Sequence, residues 1–217
     1  MTLTEIYNKV VWYVFGDTAS IPTSVAANLQ GDEGLIAQIH RRVQVEWDYW
    51  FQQYEDTMAV TSGNNTYLMP GTFKKEIEFY FTDASTGHSR EPLTRLIRHE
   101  KVATFQDPTE EAEYPTHYET VRNRLYLYPT PNQDLTLNRR YIRILPNPGW
   151  PDGEDFVTNE ATMVLIYLAV IELCSVLDYD KKLNLFATKY KIELDTLRER
   201  DWEYKFPRGG DMNYKGF

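Results

Sequence analysis

Histidines and carboxylates occur together in the middle third of the chain, and they are the residues whose types could bind a metal ion. His88, His99 and His117 lie around a cluster of glutamates at residues 110–113. Zinc takes histidine and carboxylate ligands, and a helical site places two histidines four residues apart so that they share a face. The three histidines lack that spacing and are typical of exposed loops. The sequence therefore predicts no metal site and no cofactor.

The common motifs for nucleophilic, phosphate-binding and metal chemistry are absent from the sequence. There is no G-x-S-x-G turn, no phosphate-binding glycine loop, no H-E-x-x-H and no C-x-x-C pair. The one cysteine, Cys174, lies in an apolar run where a small buried thiol is the usual occupant. The many aspartates and glutamates permit a carboxylate pair of the glycosidase type, but any acidic protein offers such pairs. We expect a protein that is not an enzyme, with glycan hydrolysis as the open alternative.

Two arginine pairs, at residues 41–42 and 139–140, are the residues that could contact nucleic acid. Tyr141 follows the second pair and supplies a ring on which a base could stack. The formal net charge of -9 nevertheless repels a phosphate backbone. On a strand, Arg139, Tyr141 and Arg143 share one face, which predicts an exposed polar face or a contact between subunits more readily than a nucleic-acid site.

The chain begins with the pattern of two amphipathic helices. Thr2 and Glu5 have the spacing of a capping box, and apolar residues recur at helical spacing up to about Phe15. A polar loop is predicted at residues 18–31, before Asp32 as a plausible N-cap residue. The apolar stripe that follows predicts one long helix ending near Asp56.

After residue 57 the apolar period changes from helical spacing to alternation. Ile77, Phe79 and Phe81 alternate with polar neighbours, as in a half-buried strand. Residues 118–121, 124–128 and 135–145 then read as three successive strands of an antiparallel meander. Within the third strand the apolar residues change from odd positions, Leu135 and Leu137, to even positions, Ile142 and Ile144. This shift in apolar parity indicates either a β-bulge or a strand covered on both faces.

Two further helices close the chain. The run at residues 163–177 is apolar on all sides, so it must be covered by the chain's own helices or by a neighbouring subunit. It is shorter than the roughly 20 residues needed to cross a bilayer, and no membrane contact is expected. A last amphipathic helix is predicted from Tyr179 to about Tyr204. Residues 208–217 have no regular pattern and form a candidate interaction arm.

The order of these elements predicts an α+β protein, in which a helical bundle of the N- and C-terminal helices carries an inserted antiparallel β-meander domain and an extended C-terminal arm. The expected boundaries are 1–58 with 155–206 for the bundle, 59–154 for the β domain and 207–217 for the arm. The first residues lack the basic and apolar regions of a signal peptide, so synthesis in the cytoplasm is expected.

Several short segments also occur in an order that is similar to a known family. These are the aromatic residues 47–51 (Trp-Asp-Tyr-Trp-Phe), residues 67–73 (Tyr-Leu-Met-Pro-Gly-Thr-Phe), residues 124–131 (Arg-Leu-Tyr-Leu-Tyr-Pro-Thr-Pro) and the strand at 135–141 that ends in tyrosine. Framed by helices at both ends, this series resembles the head-to-tail adaptor proteins, also called neck, connector or tail tubular proteins, of tailed double-stranded DNA bacteriophages.

The resemblance implies a homo-oligomeric ring of about twelve copies. The ring would lie under the portal protein in the neck of the virion, after synthesis in the host cytoplasm. It would extend the DNA channel, which DNA passes without sequence-specific binding, and offer a platform for tail or nozzle proteins. The acidic composition fits a channel wall that repels DNA.

The resemblance also implies roles for particular residues. Family C-terminal arms often reach the portal, so the portal-docking candidates in this chain are Arg208, Met212, Tyr214 and Phe217. The candidate contact with a neighbouring subunit or the tail is the face of Arg139, Tyr141 and Arg143. The alternatives left open are a siphophage-type stopper or head-completion protein and a monomeric virion-associated glycan hydrolase.

Overall fold

The computed structural model describes residues 1–17, 20–82, 89, 91–96 and 111–205. The α+β class is confirmed, because helices occupy both ends of the described chain and strands occupy its middle. The described residues form two compact units, a helical unit of residues 1–52 and 144–205 and a β unit within residues 53–143.

The helical unit contains six helices and one short 3-10 turn. The helices are α1 (Leu3–Phe15), α2 (Thr23–Leu29), α3 (Leu35–Glu46), α4 (Phe156–Glu160), α5 (Thr162–Val176) and α6 (Asp180–Lys205), and the 3-10 turn is Trp50–Gln52.

The first helix agrees with the sequence prediction at both ends. The Thr2 side chain accepts from the Glu5 amide and the Glu5 carboxylate accepts from the Thr2 amide, which completes the capping box. Gly16 ends the helix in the left-handed region, at φ 90°, where a side chain would be strained. The apolar face is buried, with Leu3, Ile6, Tyr7, Val10, Val11 and Val14 in the core.

Helices α2 and α3 differ from the sequence prediction. A helix, Thr23–Leu29, occupies the segment predicted as a loop. Helix α3 begins after Gly34 and not after Asp32, whose carboxylate instead accepts from the backbone N–H of Trp150 at 2.9 Å. A Cβ on Gly34 would lie 2.2 Å from a backbone oxygen, so the chain approaches itself too closely here for any side chain.

The long helix expected up to residue 56 ends at Glu46, and that prediction was wrong. In a continued helix, the amides of Tyr49 and Trp50 would donate to carbonyls one turn earlier. The Tyr49 amide donates instead to the Gln52 side chain at 3.0 Å, and the Trp50 amide donates to Asp201 at 2.8 Å. One nearby side chain and one distant in sequence therefore bind the amides that a continued helix would use, and apolar periodicity reveals neither of them.

Helix α5 is the apolar centre of the helical unit. Nine of its side chains are buried, including Val164, Leu168 and Cys174. It packs against α1, α3, α4 and α6, so the chain's own helices cover it, which is the first of the two alternatives given by the sequence. The predicted inward face of α6 is confirmed, with Phe186 and Leu197 buried and their inward neighbours half-buried against the same core.

The described residues of the β unit form nine strands in three sheets. The strands are β1 (Gln53–Val60), β2 (Thr66–Leu68), β3 (Phe73–Phe81), β4 (Thr94–Arg95), β5 (Glu111–Ala112), β6 (His117–Val121), β7 (Arg124–Tyr128), β8 (Thr130–Pro131) and β9 (Leu135–Arg143). The sheet orders are β1-β9-β3, β2-β7-β6-β4 and β5-β8, and pairing is antiparallel except for β4 with β6 and β5 with β8.

The predicted meander is correct for its first two strands and wrong for the third. Strands β6 and β7 form an antiparallel hairpin, but β9 belongs to another sheet, where it lies between β1 and β3. A central strand of nine residues needs long partners on both edges, which β1 and β3 provide and the five-residue β7 does not. The register shifts in the pairing with β3 place the extra residues on β3, and β9 pairs with β1 without interruption. Tyr141 and Ile142 are both buried, so coverage on both faces, and not a bulge within β9, accounts for the parity shift.

The β unit has a core of its own. Phe79 of β3 packs edge-on against Tyr118 of β6, with ring centroids 4.8 Å apart. The buried members of this core are Val60, Met69, Phe79, Phe81, Leu93, Tyr118, Leu125, Leu127 and Leu137. The core takes side chains from two sheets, so the packing of these sheets stabilises the unit in addition to the pairing of strands within each sheet.

Candidate functional site

The face of β9 that holds the predicted contact residues is bonded to the neighbouring strand. The Nε and Nη2 atoms of Arg139 donate to the two carboxylate oxygens of Asp56 on β1, each at 2.8 Å. Tyr141 donates its hydroxyl to Asp56 at 3.1 Å. Burial and the Asp56 carboxylate raise the pKa of Tyr141 to about 12, so the hydroxyl keeps its proton.

The exposure predicted for this face was wrong for two of its three residues. Only 6% of Arg139 and 1% of Tyr141 is accessible to solvent. A buried guanidinium must be paired, and the carboxylate of Asp56 supplies that pairing from within the chain. The sequence identified residues that share a face, but it contained no signal for the partner 83 residues away.

The third residue of the face, Arg143, lies beside an accessible aromatic ring. Its guanidinium carbon lies 3.9 Å from the centroid of the Tyr54 ring, a cation–π geometry. Tyr54 remains 39% exposed. The end of the sheet therefore presents an aromatic ring to solvent, held in place by arginine and by an edge contact with Tyr141 at 5.8 Å.

The other side of β9 also carries ion pairs to both of its neighbours. Arg140 donates to Glu78 of β3 at 2.9 Å and lies 3.8 Å from Glu55 of β1. Glu55 in turn accepts from the hydroxyl of Tyr80 at 2.8 Å. The second predicted basic pair therefore joins the three strands of one sheet. Its charges are balanced inside the chain.

The first basic pair lies on the solvent side of α3, as the sequence predicted. Arg42 donates to Glu46 at 2.9 Å and to Glu172 of α5 at 2.8 Å. Hydrogen bonds to these two carboxylates raise the pKa of Arg42. Because all three side chains are well exposed, the pairs contribute little to stability, but they neutralise the charge that a phosphate would otherwise meet.

The structure describes only some of the residues considered for metal or nucleophile chemistry. His117 lies on β6 beside the Thr116 hydroxyl, at 2.8 Å, whereas His88, His99 and Glu110 lie outside the described residues. Within the described ranges, no group of three or more possible ligands could hold a metal ion. Cys174 is buried as predicted, and burial raises the pKa of its thiol, which disfavours the reactive thiolate.

A buried histidine that the sequence did not single out joins two parts of the helical unit. His40 of α3 is 1% exposed, and its Nε2 lies 2.8 Å from the carboxylate of Asp155. Asp155 is also the N-cap residue of α4 and accepts from the Thr158 amide at 2.8 Å. The partners are 115 residues apart, so only the fold reveals the pair.

A buried carboxylate anchors the last turn of α6. Asp201 is 2% exposed and accepts from the Trp47 indole at 2.9 Å, the Trp50 amide at 2.8 Å and Lys205 at 2.7 Å. Lys205 also donates to the carbonyl of Asp48. The point at which the described chain ends is therefore held to the α3–β1 connection by a charged and hydrogen-bonded cluster.

The four portal-docking candidates follow this anchor in the sequence. Arg208, Met212, Tyr214 and Phe217 lie outside the described residues. The structure thus describes the base from which the predicted arm begins.

Large apolar side chains are exposed on the helical unit. At least half of each of the following is accessible: Trp12, Val45, Phe156, Val176, Leu185, Ile192, Trp202 and Tyr204. Aromatic and aliphatic groups of this kind carry much of the binding energy at protein interfaces. Within the part of the chain that is described, no helix is long and apolar enough to span a bilayer.

An α+β scaffold in which Arg42, Arg139 and Arg140 bond to carboxylates, and whose helical unit presents apolar side chains, fits the class of proteins that bind other proteins. Residues 1–210 match the family described as SU10 adaptor protein, so the chain belongs to the SU10 adaptor protein family. It is therefore a phage adaptor protein, and the resemblance to head-to-tail adaptors is confirmed. The family implies a place in the virion neck and association with other virion components. Among curated proteins, none matches the chain.

Proposed function

We propose that the chain assembles into a ring of about twelve copies that docks under the portal, extends the DNA channel and provides the platform for the tail. The observation that carries the proposal is the family match over residues 1–210, which extends past the anchored end of α6 into the predicted arm. The internal ion pairs support a structural role, because three of the four arginines of the two basic pairs, Arg42, Arg139 and Arg140, have carboxylate partners within the chain.

Portal docking is assigned in this proposal to the arm at residues 207–217. A segment that binds a partner at a defined place benefits from a fixed origin, because a fixed origin limits the volume that its end explores. The cluster around Asp201 provides that origin at Lys205. Apolar and aromatic residues in the arm supply contact area, and Arg208 supplies a donor for a carboxylate on the portal.

The β unit is assigned the contacts with a neighbouring subunit or with the tail. Arg139 and Tyr141 serve these contacts indirectly, by holding β9 to β1 through Asp56. Tyr54, backed by Arg143, supplies the accessible ring. An aromatic ring of this kind is a common interface anchor.

Removal of the arm tests the docking assignment. A chain that ends before Arg208 is expected to fold, since its cores lie within the described residues, but to lose binding to portal particles in negative-stain imaging and co-sedimentation. A full-length chain carrying Met212→Ser, Tyr214→Ser and Phe217→Ser should lose binding as well, whereas Asn213→Ser should keep it. Undiminished binding by the truncated chain would refute the arm assignment.

A further inference from the structure

A groove opens on the helical unit between the α2–α3 connection and the C-terminal end of α5. It has a volume of about 850 Å³ and is lined in part by Val25, Leu35, Val176 and Leu177. Val176 is 79% exposed, the most exposed of the large apolar residues in the described chain. An apolar groove of this size on a folded unit is a site for a protruding apolar group from a partner.

The rim of the groove is acidic. Asp32, Glu33 and Glu172 line it, and none of the described lining residues is an arginine or a lysine. Glu172 binds Arg42 at its outer side and Asp32 accepts from the Trp150 amide, whereas the Glu33 side chain is exposed. A partner that combines apolar side chains with positive charge would complement this surface.

A surface with those properties occurs on α6 of the same chain. Residues 181–192 contain four lysines and no acidic residue, although the whole chain has a formal charge of -9. Leu185 and Ile192 in this segment are 53% and 59% exposed. At about 100° per residue they lie within about 20° of each other and about 100–120° around the helix from Phe186, which faces the core.

The outward side of this segment, the ridge formed by Leu185, Thr188 and Ile192, is suited to burial. The Thr188 hydroxyl donates to the Asn184 carbonyl at 3.1 Å, so covering the ridge leaves no threonine donor unpaired. Leu185 and Ile192 are two helical turns apart, or about 10 Å along the axis, so both can enter one groove.

We propose that the ridge of one copy docks in the groove of the next copy, so that these two surfaces form the subunit interface of the ring. The inference deepens the proposed function and rests on it. The ridge and the groove are different surfaces, and a contact between different surfaces is heterologous, the kind that repeats around a ring and closes. Apolar burial supplies affinity, and the exposed Lys181 and Lys191 beside the ridge, against the carboxylates of the rim, set the orientation.

Cysteine cross-linking between two variants tests the contact. Leu185→Cys and Val176→Cys are prepared separately in a Cys174→Ala background, which removes the one native thiol. The variants are mixed, assembled on portal particles and oxidised, and circular dichroism checks that each is folded. We expect a disulfide-linked dimer in the mixture and none with either variant alone, because a heterologous contact brings unlike surfaces together.

The outcomes separate this inference from the proposed function. Cross-links in the mixture alone support the ridge-in-groove contact. Cross-links within the Leu185→Cys sample alone, or rings on the portal without any cross-link, overturn the contact and leave the proposed ring intact. Failure to form rings on portal particles overturns the proposed function and this inference with it.

A second measurement does not depend on disulfide geometry. Leu185→Asp and Val176→Asp each place a charge where the contact buries apolar groups, and each should weaken ring assembly by about tenfold or more. Val45→Asp is the matched control, because Val45 is 53% exposed on α3 and belongs to neither surface. Assembly unaffected by the two test substitutions, or equally impaired by the control, would overturn the contact.

Discussion

The paired side chains of His40 and Asp155 give the helical unit a titratable link. Burial raises the pKa of Asp155, but the hydrogen bond and the charge from His40, with hydrogen bonds from Thr158, lower it by more, so the pKa lies below its ordinary value. A carboxyl group of this kind stabilises the fold fully above its unfolded pKa of about 3.9. That stability is lost as the pH falls toward the lowered pKa of the folded state.

The substitution Asp155→Asn tests this link. Asparagine is as good an N-cap residue as aspartate, so the change removes the charge and not the cap. We expect the variant to be less stable by about 1–3 kcal/mol at neutral pH. The difference should shrink as the pH falls below about 4, where the unfolded chain takes up a proton at Asp155, and it should vanish toward the lowered pKa of the folded state.

Urea unfolding at neutral pH and near pH 3 measures the effect of Asp155→Asn, with Asp152→Asn as the control at an exposed site. A stability difference that stays the same at both pH values would show that the charge of Asp155 makes no contribution.

Sequence patterns predicted the surroundings of single residues where those surroundings are local. Cys174 was predicted to be buried because its neighbours in the helix are apolar, and the structure confirms this. Exposure was predicted for Arg139 and Tyr141 from the face that they share with Arg143, and it was wrong because the covering strand β1 is distant in sequence. The His40 link was missed for the same reason, since alternation and helical period describe a face and not what covers it.

At the scale of elements, the position of the first helix depends on nearby residues, whereas the position of strand β9 depends on residues distant in sequence. The start of α1 depends on Thr2 and Glu5, which are three residues apart, and the capping pattern was sufficient to predict it. The position of β9 depends on pairing with β1 and β3, which lie more than 50 residues earlier in the chain. The shift in apolar parity indicated that this strand differs from a strand with one buried face, but it did not identify the strands with which β9 pairs.

The pairing of β1 with β9 depends strongly on Asp56, and Asp56→Asn tests that dependence. The amide offers Arg139 one acceptor oxygen in place of a two-point ionic contact, and the guanidinium remains buried. We expect a loss of about 2–4 kcal/mol, because removing one partner leaves a buried charge without compensation.

Chemical denaturation followed by circular dichroism measures the change. Glu111→Gln makes the same chemical change at an exposed position on β5. It should leave the free energy of unfolding within about 0.5 kcal/mol of the original value. Equal midpoints for Asp56→Asn and Glu111→Gln would show that the ion pair does not stabilise the sheet.

At the scale of the whole molecule, the class of fold and the family were readable from the order of elements, although individual boundaries were not. The helices at both ends and the strands between them follow from changes of apolar period, which survive errors of several residues. The ridge and the groove were not predicted. The groove consists of the α2–α3 connection, read as a loop, and the end of α5, which are brought together only by folding.

The charge of the whole molecule predicts its behaviour toward DNA. With a formal net charge of -9, and with Arg42, Arg139 and Arg140 bonded to carboxylates, the purified protein should not bind double-stranded DNA, even at about 0.05 M salt where phosphate contacts are strong. Fluorescence anisotropy with a labelled duplex across a salt series measures this.

The control is a variant in which three exposed acidic residues of α6 are changed to lysine (Asp195→Lys, Glu199→Lys and Glu203→Lys). This variant should bind DNA in a salt-sensitive way, which demonstrates that the assay detects such binding. Binding by the native protein that weakens as salt rises would place a basic surface against DNA, contrary to a channel wall along which DNA slides.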